Sequence, residues 1–216
     1  MTWIKYENPF TKHYFEEYAR LVLNDLLNLS LIHRKDRYGQ DKPDLISNSE
    51  ELGVEVTHAL SDEGGRQNKL FQQNYPKENR NQILVAEAKR LKVKGLSFID
   101  NVACLSQSCS KDYNINLLIS TIEKKLKKLN SITFNKYTNN QLFVSAFSFF
   151  PEDIEFFLNN FSNLVSSHPT NFDTIYIFNM EGLYVFCNNQ YRCIPIPENS
   201  LTRYKHEAMS VSEHNK

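Results

Sequence analysis

Two acidic residues carry the clearest chemical signal in this sequence. Asp44 stands in the segment Lys-Pro-Asp-Leu-Ile-Ser, and Glu55 stands in Gly-Val-Glu-Val-Thr. Both segments are short and apolar, and the Ser/Asn/Glu residues between them predict a β-hairpin. A turn at Ser49-Glu50 places Asp44 directly opposite Glu55, where opposed side chains share one face with Cβ atoms about 4.5–5.5 Å apart. The spacing therefore predicts two neighbouring carboxylates.

Paired carboxylates of this kind are suited to binding a divalent metal ion. The two charges repel each other, and a bound cation removes that repulsion. Oxygen ligands favour Mg²⁺ or Mn²⁺ over zinc. Thr57 shares the face of Glu55, whereas Val54 and Val56 point to the other, apolar side. A turn shifted by one residue breaks the pairing, and Asp44 and Glu55 are then unrelated acids on two strands.

The elements that position this hairpin follow from hydrophobic periodicity. Apolar residues at helical spacing predict helices over residues 10–29 and 114–130, and Pro151 predicts the start of a helix that ends near residue 166. A further pair of helices, broken near Tyr75-Pro76, is predicted within residues 62–94, and residues 95–112 have no clear pattern. Strands are predicted at residues 141–149, 173–180, 183–188 and 191–196.

This order of elements predicts an α/β or α+β fold with a mixed sheet flanked by helices. At 216 residues the chain can bury one substantial core, so we expect a single domain over residues 1–216. The tail, residues 197–216, is mostly polar. We expect that tail to be loosely ordered.

Composition favours an ordinary globular protein, with 41% hydrophobic and 23% charged residues. No apolar run approaches the roughly 20 residues that span a bilayer, and the first residues do not resemble an export signal. We therefore expect a cytoplasmic protein without a membrane partner. The four cysteines are predicted to be reduced core thiols, with zinc ligation as the alternative; they are Cys104, Cys109, Cys187 and Cys193.

The formal charge is zero, but the charges are segregated along the chain. Residues 66–94 contain eight Lys or Arg and two Glu, and residues 111–136 contain six Lys and two acids. Such basic segments can bind a phosphate backbone, with Arg66, Lys69 and Arg80 as candidate contacts. Solvated helix faces that carry lysines are the alternative interpretation.

The residues around the acidic pair resemble the PD-(D/E)xK nuclease superfamily. The resemblance rests on Pro43-Asp44 at the head of one strand and Glu55-Val56-Thr57 on the next. It covers roughly residues 10–150 and implies a restriction-endonuclease-like core of helix, three strands, helix and strand, here with an additional C-terminal helix and strands. It further implies that Asp44 and Glu55, with the backbone carbonyl of Val56, bind Mg²⁺ or Mn²⁺ and activate water for phosphodiester hydrolysis.

One position departs from the family pattern, because Thr57 stands where the family usually has lysine. Some similar members supply the lysine from a later helix, and the helix over residues 114–130 contains four lysines. Helical geometry places Lys125 at the edge of the apolar stripe, with Lys128 one turn farther along the same edge. Lys125 is therefore the candidate catalytic lysine, and Lys128 is the second choice and a candidate nucleic-acid contact. Lysines at the rim of a buried helix face, with no catalytic role, are the alternative.

The resemblance also implies a glutamate from the first helix. Glu17 lies beside the apolar stripe of that helix, whereas Glu16 points away from it, so the role is assigned to Glu17. Asp25 falls within the apolar stripe, where a carboxylate is rarely placed without a partner. It either replaces Glu17 in the site or pairs with a core hydroxyl such as a tyrosine.

These observations predict a metal-dependent nuclease, with DNA as the favoured substrate, of a defence, restriction or mobile-element type. One alternative is a catalytically inactive nuclease fold that binds nucleic acid or regulates a partner. Another is an unrelated α/β protein in which Asp44 and Glu55 are structural. A homodimer or a protein partner fits the first two, because a dimer is common where both strands of a duplex are cut.

Overall fold

A computed structural model of the chain describes residues 12–34, 42–49, 51–59, 96–99, 102–105, 111–146, 149–179, 181–188 and 190–214. This part of the chain contains four α-helices: α1 (Lys12–Leu27), α2 (Lys111–Leu129), α3 (Ile154–Ser166) and α4 (Glu198–His214). A 3₁₀ turn at Pro151–Asp153 precedes α3. Within the described ranges, no helix has the length and apolar character needed to cross a bilayer.

Within the described residues, seven strands form one mixed sheet, and two others, β4 (Leu96–Ile99) and β5 (Val102–Leu105), pair only with each other. The seven strands are β1 (Leu31–His33), β2 (Leu45–Ser47), β3 (Leu52–His58), β6 (Asn139–Ser145), β7 (Thr174–Phe178), β8 (Gly182–Cys187) and β9 (Gln190–Pro195). The spatial order is β1-β2-β3-β6-β7-β8-β9. The pairs β3–β6 and β6–β7 are parallel, and the other neighbours are antiparallel. The fold is therefore α/β with a mixed sheet and flanking helices, as the order of elements predicts.

Helices cover both faces of the sheet. On one face, α1 and α4 pack with Val54 and Val56 of β3, and the buried residues of α1 include Ala19, Val22 and Leu23. On the other face, α2 and α3 pack on residues of β6 and β7. The α2 residues in this second core are Leu118, Ile122, Leu126 and Leu129, at the spacing of three and four residues that aligns them along one helix face.

The sequences of the central strands are continuous apolar runs because both faces of these strands are buried. In β6, Leu142 and Val144 belong to the α2 face, whereas Phe143 belongs to the α1 face. Full burial of side chains of this size contributes about 1.5–3 kcal/mol each. Because successive side chains of a strand point to opposite faces, the face of each apolar residue also fixes the face of the polar residue beside it.

The β2–β3 hairpin has the predicted register. Leu45 pairs with Val54 and Ile46 pairs with Gly53, so extension by one residue sets Asp44 opposite Glu55. Gly53 has no room for a side chain, since a Cβ there would lie 2.6 Å from Pro43 Cγ and 2.9 Å from Tyr137 Cδ2. The contact between Pro43 and Gly53 thus holds the start of β2 against β3.

The tail differs from its prediction of loose order, because it forms helix α4 and packs on α1. Leu201, Tyr204 and Ala208 recur at helical spacing, and Tyr204 is 1% exposed. The Tyr204 hydroxyl donates a hydrogen bond to Asp25 Oδ2, and Arg203 Nη2 donates to the same oxygen at 2.7 Å. Asp25 therefore takes the second of its two predicted roles, a pairing with a tyrosine hydroxyl.

The remaining predictions have different outcomes. Two strands, β4 (Leu96–Ile99) and β5 (Val102–Leu105), form a separate hairpin in the segment without a clear pattern. The helices predicted within residues 62–94 lie outside the described residues. The prediction of core thiols is wrong for Cys187 and Cys193, which are free and exposed, the first at the end of β8 and the second on the edge strand β9. The side chain of Cys104, and Cys109 as a whole, lie outside what the structure describes.

Replacement of Tyr204 by alanine tests whether α4 is an integral part of the core. We expect Tyr204→Ala to lower the free energy of unfolding by about 3 kcal/mol, because it opens a cavity against α1 and removes the hydrogen bond to Asp25. Urea unfolding followed by circular dichroism measures the loss. Lys205→Ala, at the adjacent exposed position, is the control. Equal stabilities for the two variants would contradict the packing of α4 on α1.

Candidate functional site

Glu55 lies in the middle of β3, between β2 and β6, and is only 2% exposed. Its neighbours Val54 and Val56 point to the α1 face, so Glu55 points to the opposite face, which α2 covers. Its partner in β6 is Leu142, a residue of the core beneath α2. A carboxylate at such a position is costly unless it is paired.

Two lysines of α2 provide that pairing. Lys125 Nζ donates to Glu55 Oε1 at 2.6 Å, and Lys128 Nζ donates to the same oxygen at 2.7 Å. Because the lysines are three residues apart, both reach down from one side of the helix. Lys128 Nζ also lies 5.4 Å from the ring centroid of Phe134, a cation–π contact that gives it a second partner. The structure thus brings both candidate lysines to the glutamate.

The second oxygen of Glu55 differs from the first. Oε2 is buried, and no group of the described residues donates a hydrogen bond to it. An unpaired buried acceptor costs on the order of 1–3 kcal/mol, so native proteins rarely retain one without a reason. An oxygen in this state is suited to bind a cation or a hydrogen-bond donor that enters the site.

Asp44 stands beside Glu55 on the neighbouring strand. Its Oδ2 accepts a hydrogen bond from the backbone N–H of Val56 at 2.8 Å, which ties the side chain to β3 next to Glu55. Pro43 packs on Gly53 immediately before it. The hairpin register and this hydrogen bond together place the predicted acidic pair side by side.

Few of the described side chains are placed to hold a divalent cation here. Within the described ranges, no group of three or more His, Cys, Asp and Glu side chains is placed to hold a metal ion. The candidate ligands are therefore the two carboxylates and the backbone carbonyl of Val56, with the unpaired Glu55 Oε2 as the position that a cation would satisfy. Hard oxygen ligands of this type fit Mg²⁺ or Mn²⁺.

Glu17 belongs to a different cluster. It lies on α1, on the face of the sheet opposite to Glu55, and it is 3% exposed. Arg20 donates to both of its oxygens at 2.6 and 2.7 Å, and His33 Nε2 lies 2.6 Å from Oε2. Burial raises the pKa of Glu17, but the hydrogen bonds and charges of Arg20 and His33 outweigh it and lower the pKa to about 2. The described contacts do not bring Glu17 to the acidic pair.

His58 at the end of β3 is a neighbour of the site that the sequence pattern did not indicate. Its ring lies 3.9 Å from the ring of Phe15 between centroids. Burial, together with the smaller effect of the positive charge of Lys125, lowers the pKa of His58 to about 4. Its imidazole is therefore neutral at pH 7.

The other predicted basic contacts separate into two groups. Arg66, Lys69 and Arg80 lie outside the described residues. On α2, Lys127 Nζ pairs with Glu123 at 2.6 Å on the exposed side of the helix, and Lys124 is exposed as well. Only Lys125 and Lys128, among the lysines of α2 whose side chains are described, pair with Glu55.

Comparisons of the chain with protein-family models, with curated proteins and with solved structures give no match. What the site can do is therefore inferred from its own side chains. These are two adjacent carboxylates and two lysine ammonium groups. A lysine that releases Glu55 becomes available to bind a negatively charged group.

Removal of the Glu17 charge tests the second cluster. The folded-state pKa of about 2 lies below the ordinary value of 4.5, so this carboxylate stabilises the fold above pH 4.5 and the stabilisation is lost as the pH falls towards 2. We expect Glu17→Gln to lower the free energy of unfolding by about 2 kcal/mol at pH 7. The difference from the unmodified protein shrinks steadily below pH 4.5.

Urea unfolding at a series of pH values measures this effect. Glu123→Gln is the matched control, because Glu123 pairs with Lys127 at the surface and contributes much less. A loss for Glu17→Gln that does not change between pH 7 and pH 3 would show that the charge of Glu17 is not what stabilises the fold.

Proposed function

We propose that this protein is a metal-dependent nuclease that hydrolyses phosphodiester bonds, with DNA as the favoured substrate. One observation carries the proposal: the buried Glu55 lies opposite Asp44, and two lysines bind one of its oxygens while no described residue donates a hydrogen bond to the other. A structural ion pair alone gives no reason for an unpaired buried oxygen beside a second acid. A site for a cation and a phosphate accounts for both.

The order of elements supports a restriction-endonuclease-like core. The resemblance implies helix, three strands, helix and strand, and the sequence of α1, β1–β3, α2 and β6 has that order. In this alignment Asp44 immediately precedes the second strand, Glu55 lies within the third, and the lysines lie on the following helix. Other segments, among them β4 and β5, stand between β3 and α2 as an insertion.

The two acids and the Val56 carbonyl would hold the divalent ion. When bound, such an ion polarises the scissile phosphate and lowers the pKa of a water molecule towards neutrality. Asp44 is held in place by the Val56 N–H, and Glu55 is held by Lys128. Lys125 supplies a positive charge that orients the attacking water or stabilises the charge that develops on the phosphate. It replaces the lysine that Thr57 does not provide.

A second candidate is a nuclease fold that binds nucleic acid without cleaving it. The ion pairs of Glu55 with both lysines favour it, because they neutralise the carboxylate without an ion. Thr57 in place of lysine also favours it. The two candidates differ in whether phosphodiester bonds are broken.

Cleavage assays with DNA and RNA separate these candidates. We expect cleavage in Mg²⁺ or Mn²⁺, none in EDTA, and a loss of at least about 10²-fold in rate for Asp44→Asn, Glu55→Gln and Lys125→Met. Lys127→Met is the matched control on α2, because Lys127 points away from Glu55 and pairs with Glu123. It should retain full activity.

Two results would decide against the proposal. Cleavage that persists both in EDTA and in Asp44→Asn would come from something other than this site. Tight binding of nucleic acid without cleavage under any metal condition would support the second candidate instead. Thermal unfolding of each variant shows whether a loss of activity comes from loss of the fold.

A further inference from the structure

A cavity of about 420 Å³ lies on the α1 face of the sheet, the face opposite to Glu55. Its floor includes Tyr176 of β7 and Val185 of β8, which belong to the core beneath α1. Leu27, the last residue of α1, and Leu29 also line it. A cavity of this volume, with apolar residues in its lining, is of the size that holds a small molecule.

Polar residues line the cavity beside this apolar floor, and the strand register sets their direction. Arg192 of β9 pairs with Val185, and Gln190 pairs with Cys187 at the end of β8. Directly paired residues share one face of a sheet, and every second residue of a strand returns to that face. The side chains therefore lie on the cavity side. The polar residues placed in this way are Thr174, Cys187, Gln190 and Arg192.

The hydroxyl of Tyr176 shows how close two of these groups are to the floor. It donates a hydrogen bond to Gln141 Oε1 at 2.7 Å. Burial raises the pKa of this hydroxyl, proximity to Cys187 raises it further, and the positive charge of Arg192 lowers it. Arg192 and Cys187 thus both lie near the floor of the cavity.

The wall at the end of α1 is held in place by its own hydrogen bonds. Asn28 has a φ of 53°, which ends the helix. Asn24 Nδ2 donates to the carbonyl oxygen of Leu31 at 2.9 Å, and the Leu31 N–H donates to Asn24 Oδ1 at 2.7 Å. These two bonds close the turn that contains Leu29. A wall fixed before a ligand arrives lowers the entropic cost of binding.

The charge of Arg192 indicates the class of ligand. Its side chain is exposed, and no carboxylate of the described residues forms an ion pair with it. A guanidinium group presents a fork of N–H donors that matches the oxygens of a phosphate. Thr174 and Gln190 add a hydroxyl and an amide, which can hydrogen-bond to the polar edge of a base or to a sugar.

We propose that this cavity binds a mononucleotide. The phosphate lies at Arg192, and the nucleoside lies against Leu27 and Leu29 with its polar groups towards Thr174 and Gln190. An acyl chain with a carboxylate would use the arginine and the apolar walls, but not the hydroxyl and the amide. The proposal goes beyond the proposed nuclease function, since the cavity and Glu55 lie on opposite faces of the sheet.

Isothermal titration calorimetry of the full chain with AMP, GMP, CMP and UMP measures this binding. EDTA is present, so that a metal-dependent contact elsewhere does not contribute. We expect at least one of these nucleotides to bind, and Arg192→Gln to raise its Kd at least about tenfold, because the charged hydrogen bonds to the phosphate are lost. Lys205→Gln removes an exposed positive charge on α4 and is the matched control. It should leave the Kd unchanged, as should Glu55→Gln, and circular dichroism confirms that each variant is folded.

Cys187 shows where the nucleotide binds. Iodoacetamide alkylation followed by mass spectrometry gives the rate at each cysteine. At about ten times its Kd the nucleotide should slow alkylation of Cys187 roughly tenfold, since mainly the unoccupied protein reacts. Cys193 is the internal control: it is also exposed, but it pairs with Tyr184, whose side chain belongs to the core on the other face. Its rate should not change.

Further ligands test the chemistry of the site. The matching nucleoside and inorganic phosphate should each bind more weakly than the nucleotide, because each makes only part of the contacts. Laurate tests an acyl anion as the occupant. The proposal is overturned if none of the nucleotides binds, if Arg192→Gln binds as tightly as the unmodified protein, if Cys187 is not protected, or if laurate binds more tightly than every nucleotide. None of these results depends on cleavage at Glu55, so the proposed function stands or fails separately.

Discussion

An ionised carboxylate inside a sheet is stable only when positive charge lies beside it. Glu55 meets this constraint through Lys125 and Lys128, which extend from the same helix that buries Ile122 against the sheet. The position of α2 thus fixes the charge balance of the site as well as the core. Because Lys125 and Lys128 are one turn apart, a helix shifted by one turn would bring only one of them to the carboxylate.

Local patterns were sufficient to predict the centre of the site. The register of the β2–β3 hairpin followed from a turn and two apolar runs, because a shift of one residue would break the pairing of Asp44 with Glu55. The helical stripe of α2 likewise indicated Lys125, since its edge is set by 3.6 residues per turn. Both features depend on residues close together in the chain, and that is why sequence periodicity contains them.

Features that depend on distant segments were predicted only in part. A tyrosine hydroxyl was one of the two partners expected for Asp25, but the sequence did not indicate which tyrosine. The partner of Tyr204 is Asp25 on α1, and the parallel pairing of β3 with β6 joins strands that are far apart in the chain. The family resemblance assigned a glutamate of the first helix to the acidic site, and helical geometry chose Glu17 over Glu16. That geometry gives the side of the helix on which a residue lies, but not which face of the sheet the helix covers. A signal for the actual partner of Glu17 was present, because Arg20 follows at a spacing of three residues.

The sequence separation of the Glu55 contacts has a consequence for how the chain folds. Glu55 meets Lys125 and Lys128 across 70 and 73 residues, and closing so long a loop is an entropic cost that slows folding. During synthesis the hairpin emerges well before α2 exists, so Glu55 remains solvated and the hairpin has no cover on this face. We expect the contacts of Glu55 with the two lysines to form late, with completion of the central sheet, whereas the local hairpin that sets Asp44 beside Glu55 can form early.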